Sequence, residues 1–112
     1  MNAKIKLTKT MLDKSIIDAN KTVTAFAKEH LPSNYDDIGN GNRCEFDALL
    51  VSDGKNTQSV LRMYRRPRGD ELLSVKGLKS AAKAGDVLRF LPEAGTFNGV
   101  NYFLVLKLEE DK

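Results

Sequence analysis

The chain has 112 residues, 41% hydrophobic and 29% charged, with a formal net charge of +3. That length suits a single small domain, 1–112, and the apolar fraction is enough for a buried core and too high for disorder. The lone cysteine, Cys44, excludes an internal disulfide or a cysteine-based metal site, and no apolar run reaches the roughly 18 residues of a membrane span.

Taken in order, Ala3, Ile5 and Leu7 alternate with Lys4, Lys6 and Thr8, which predicts a short strand with one buried face. This opening lacks the apolar stretch of a secretory signal, so a reducing, cytoplasmic setting is expected. The period then changes. Leu12, Ile16, Ala19, Val23 and Phe26 recur at steps of four and three, which predicts one long helix from about Met11 to about Glu29. Thr10 and Asp13 resemble a capping box at its start, and Leu31-Pro32 ends it. Residues 33–43, rich in Gly, Asn and Asp, read as a loop.

Beyond the loop the pattern is β-rich. Cys44–Val51 is expected as a strand with Cys44, Phe46, Ala48 and Leu50 on one face, and Asp53-Gly54 as the hairpin turn after it. The next strand, about Thr57–Arg65, should put Arg62 and Tyr64 on one face and Leu61 and Met63 on the other. Pro67-Arg68-Gly69-Asp70 turns the chain into a strand at Glu71–Val75, and Gly77–Ala84 reads as a short helix. Val87–Leu91 follows as a strand, and Asn98-Gly99 marks a last hairpin running into Val100–Leu106. The expected class is α+β, mostly β: an antiparallel pseudobarrel with one long N-terminal helix and one short one. Its core is expected to hold Phe46, Leu50, Leu61, Leu78, Val87, Phe90, Phe103 and Val105.

The charge is uneven along the chain. Residues 1–61 carry eight basic and eight acidic groups, and residues 69–112 carry six and seven. The surplus therefore falls on Arg62-Met63-Tyr64-Arg65-Arg66-Pro67-Arg68, with four arginines and a tyrosine. Guanidinium groups beside an aromatic ring suit phosphate backbones, and arginine's planar fork also matches a guanine edge.

From Asp53-Gly54-Lys55 through this strand and Leu72–Gly77 to Ala84-Gly85-Asp86-Val87-Leu88-Arg89-Phe90, the order of turns, strands and short helix resembles a DNA-binding pseudobarrel. That family includes the plant B-three transcription factors and the effector domain of EcoRII-like restriction endonucleases. The chain has no tryptophan, whereas the plant members carry a Gly-Trp pair in the short helix, which favours the bacterial or phage branch. The resemblance implies two arms gripping the major groove: one at Lys6, Thr8 and Lys9, the other at Arg62, Tyr64, Arg65, Arg66 and Arg68.

Catalytic chemistry has less to stand on. His30, the only histidine, sits where a cation suits a helix C-terminus. Glu45, Asp47, Asp53 and Lys55 only faintly resemble a metal-dependent nuclease set, and Arg68-Gly69-Asp70 reads as an exposed turn. The expectation is a non-enzymatic protein without cofactor or metal that binds duplex DNA, in a restriction-type or regulatory system. The alternative is a small phage or mobile-element inhibitor module that docks on an acidic host protein.

Overall fold

The computed structural model describes residues 3–31, 35, 38–92, 95–102 and 104–110. Among them the order is β1 (Ala3–Lys6), α1 (Lys9–Lys14), β2 (Ile17–Asp18), α2 (Lys21–His30), β3 (Arg43–Ser52) and β4 (Lys55–Arg65). Then come β5 (Glu71–Val75), α3 (Leu78–Ala81), β6 (Val87–Leu91), β7 (Gly95–Phe97), β8 (Val100–Tyr102) and β9 (Val105–Glu109). Seven strands build one curled sheet in the order β1-β6-β9-β3-β4-β5-β2, while β7 and β8 pair apart from it. The fold is mostly β, a half-barrel with helices. No helix among the described residues is long and apolar enough to cross a membrane.

The local signals act as chemistry requires. β3 and β4 pair from Arg43–Tyr64 to Ser52–Lys55, and the turn between them puts Asp53 and Gly54 at φ 50° and 74°. Such left-handed geometry twists with the strands and is tolerated best by Asp, Asn and Gly. Inward residues of the sheet, among them Phe46, Leu50, Leu61, Leu73, Leu88, Phe90 and Leu106, are buried together in one core. Leu78 and Val105 are buried as expected, but Val87 is only half-buried, because its parity in β6 turns it to the outer face. Phe103 lies outside the described residues. Tyr35 and Ile38, from the loop, join the core.

The long N-terminal helix is two helices. Thr8, not Thr10, caps the first, its Oγ1 accepting the Met11 N–H at 3.2 Å. Ser15 ends it in the left-handed region, at φ 54° and ψ 32°. Ile17 and Asp18 then pair with Leu73 and Leu72 of β5, and Asn20 opens α2 by accepting the Val23 N–H at 3.0 Å. Leu12, Val23 and Phe26 keep the burial that the periodicity implied, since both helices pack on the same core; Ile16, at the break, is 48% exposed. Sheet pairing of the β-branched Ile17 and a good N-cap at Asn20 outweigh one continuous helix.

The sheet is mixed rather than wholly antiparallel. β9 pairs antiparallel with β6 but parallel with β3, Leu49 against Val105 to Val51 against Lys107. A parallel neighbour needs a long connection, and here everything from β4 to β8 supplies it. The edge strands are β1 and β2, and one side chain bridges the seam between them. Across this seam the Asn20 side chain donates to the Lys4 carbonyl at 3.0 Å.

Candidate nucleic-acid interface

The arginine segment forms the end of β4 and the turn into β5. The Gly69 N–H donates to the Arg66 carbonyl, and the Arg66 N–H to the Asp70 carbonyl, each at 2.8 Å. Gly69 adopts φ 99°, a conformation costly for any residue with a Cβ. Period-two alternation along β4 turns Leu61 and Met63 into the core and Arg62 and Tyr64 outward, as expected. The same alternation sends Arg65 inward.

Arg65 is consequently a structural arginine, and its place in an exposed grip is corrected. Its side chain is 20% exposed and lies 3.7 Å from Glu71 Oε2, opposite it in the β4–β5 register. One Nη donates to the Ile38 carbonyl, and the guanidinium sits 5.8 Å from the Tyr35 ring centroid. The Tyr35 hydroxyl donates to Glu71 at 2.8 Å from Oε1 and 3.0 Å from Oε2. Burial and then this hydrogen bond push the Tyr35 phenol well above its ordinary pKa, so it stays a donor.

The outward arginines also meet carboxylates. Arg62 forks onto Glu45 Oε2, with Nη2 at 2.8 Å and Nε at 3.2 Å. Arg66 pairs with Asp70 and lies 3.6 Å from Asp18, at the edge strand β2. Arg68, at the turn, reaches Asp70 at 2.9 Å. The hydrogen bond from Arg68 holds the Asp70 carboxyl below its usual range, with Arg66 adding to the effect. Four guanidiniums thus face Glu45, Glu71, Asp70 and Asp18, and the cluster nets zero. The +3 that sequence counting assigned to this segment belongs, in space, to the rest of the molecule.

What remains open here is a surface row. Across β3, β4, β5 and β2 the register aligns Arg43, Tyr64, Leu72 and Asp18, with Glu45, Arg62 and Ser74 in the adjoining row. Arg43, Arg62, Tyr64 and Ser74, with Ile16 on one side, line an open cleft of about 520 Å³. Arg43 is exposed and makes no ion pair among the described residues. Sequence reading passed it over because it sits in a Gly/Asn-rich stretch; its opposition to Tyr64 was the available signal.

The other arm is differently placed. Lys6 ends β1 and is exposed, Thr8 uses its hydroxyl to cap α1, and Lys9 is the first residue of α1. Glu45, of the nuclease-like set, is bound by Arg62, and Asp53 lies in its turn. Among the described residues no three His, Cys, Asp or Glu side chains gather as a metal site. His30 ends α2, its ring 4.9 Å from that of Phe26. Compared with known protein families, with characterised proteins and with solved structures, the chain shows no match.

Proposed function

We infer that this chain is a small, non-enzymatic module that binds duplex DNA with the outer face of β3–β4–β5 and the Arg66–Gly69 turn. The observation that carries the reading is the alignment of Arg43, Arg62 and Tyr64 along one open cleft, beside a turn where Arg68 is 72% exposed. The Arg66–Gly69 turn stands at the end of β4 and β5, and an outward guanidinium can bond two acceptors of one guanine. The pairs Arg62–Glu45 and Arg68–Asp70 are no obstacle. Exposed ion pairs hold about 0–1 kcal/mol, and a backbone phosphate, a monoanion like the carboxylate, accepts the same fork. Lys6 and Lys9 supply a second arm in this reading, in keeping with the resemblance to the restriction-type pseudobarrels.

The second reading, a docking module for an acidic host protein, draws on Ile16, whose exposure beside Tyr64 and Arg62 suits the apolar centre of a protein interface. Titrating a labelled mixed-sequence duplex at low salt separates the two. Binding that weakens in an Arg43→Ala/Arg62→Ala variant supports DNA. Failure to bind any duplex, with capture of a host protein that survives nuclease treatment and requires Ile16, overturns it in favour of the protein partner.

A further inference from the structure

Three of the cations outside the hairpin stand in one row. In the register of β1, β6 and β9, Lys4 stands opposite Arg89, and Arg89 opposite Lys107. Residues opposed across a sheet share a face, and with strands about 4.8 Å apart this sets three cations in a line about 10 Å long. The face is the outer one, since Ala3, Ile5, Leu88, Phe90 and Leu106 fill the core from the other parity. Like charges directly opposed destabilise a sheet, so such a row calls for counter-charge. One carboxylate provides it: Glu109, 3.1 Å from Arg89 and 3.6 Å from Lys107. Lys4 has no ion pair among the described residues, and Arg89 Nε is buried without a hydrogen-bond partner.

We propose that the Lys4–Arg89–Lys107 row is a track for the phosphate backbone of duplex DNA. It contacts charge rather than bases: the strands here present two exposed lysine heads and a partly covered guanidinium. The row is also continuous with the hairpin. Asn20, bonded to the Lys4 carbonyl, lies two residues beyond Asp18, which meets Arg66. A duplex seated on the hairpin therefore has the Lys4 end of the track beside it across the seam. The choice of DNA as the polyanion rests on the function proposed above, whereas the track itself rests on the uncompensated row.

The test measures affinity for one mixed-sequence duplex across a salt series, with wild type, Lys4→Ala/Lys107→Ala and Arg62→Ala/Arg68→Ala. Both lysines are exposed, so the fold is kept, and thermal melting verifies it. The lysine variant should bind this duplex more weakly, roughly tenfold or more at low salt, with the salt slope flatter by about 1.8 for two phosphates released. Lys4→Arg/Lys107→Arg should restore both. Wild-type slope and affinity in the lysine variant overturn the track, and if the arginine variant alone loses binding, the hairpin reading survives that failure. Loss in the lysine variant with none in the arginine variant keeps the track and removes the hairpin. A wild type that binds no duplex at low salt overturns both.

Discussion

Two cationic regions differ in how each is answered by acid. In the hairpin, Arg62, Arg65, Arg66 and Arg68 meet Glu45, Glu71, Asp70 and Asp18, drawn from β3, β5, the turn and β2. Across β1, β6 and β9, Arg89 and Lys107 share Glu109, and Lys4 has no ion pair among the described residues. The first region is dense in charge along the chain and neutral in space. The second is dispersed along the chain and positive in space. Coulomb energy follows distance through space, so the second region carries more field toward a distant polyanion than the four paired arginines of the first.

The largest expected effect separates the inner arginine from its neighbours. Glu71→Ala leaves Arg65 and the Tyr35 hydroxyl without their main partner in a mostly buried site, at a cost of about 3–5 kcal/mol in chemical denaturation. Arg68→Ala, at the turn, should stay within about 0.5 kcal/mol. Equal losses would erase the division between a structural and a surface arginine.

A second test addresses how Asp18 reaches Arg66. The helix break at Ser15 puts Asp18 on the sheet edge, and Ser15→Gly relieves a left-handed residue there, so stability should rise by about 0.5–1 kcal/mol. In a continuous helix the same change would lower stability by about as much. The sign of the change is the measurement.

The repulsive row can be relieved directly. Lys4→Glu sets a carboxylate opposite Arg89 and should stabilise the fold by about 0.2–1 kcal/mol, an effect that fades as salt is raised. Destabilisation at low salt would mean that the row is already balanced.

The smallest effect concerns Asp70. Its lowered carboxyl contributes stability that is fully present above the ordinary aspartate pKa of about 3.9, and this is lost as pH falls through the lower folded value. An NMR titration should find Asp70 protonating below that ordinary value in wild type and nearer to it in Arg68→Ala, where Arg66 alone remains as its partner. An ordinary value in both would remove the pairing that neutralises the turn.

Much of the fold was legible because its causes are local. Alternation in residues 3–7 and 44–51 encodes strands through the two-residue period of the backbone. Asp53-Gly54 and Asn98-Gly99 encode hairpins through positive φ, and both turns form. The candidate site was half legible by the same means. Alternation placed Arg62 and Tyr64 outward, yet the run of arginines concealed that Arg65, by that same parity, points in.

By itself, then, the sequence determined the mostly-β class, the hairpins, the outward pair Arg62 and Tyr64, and most of the core. Only the tertiary structure decided the rest. The apolar stripe of residues 12–26 is equally compatible with one helix or two, and pairing of Ile17-Asp18 with a strand distant in the chain settles it. Parallel pairing of β3 with β9, the Tyr35–Glu71–Arg65 cluster and the Lys4–Arg89–Lys107 row all join residues far apart in sequence. Local periodicity reports which face a side chain takes; which charges become neighbours is set by strand order and register, and these are properties of the assembled sheet.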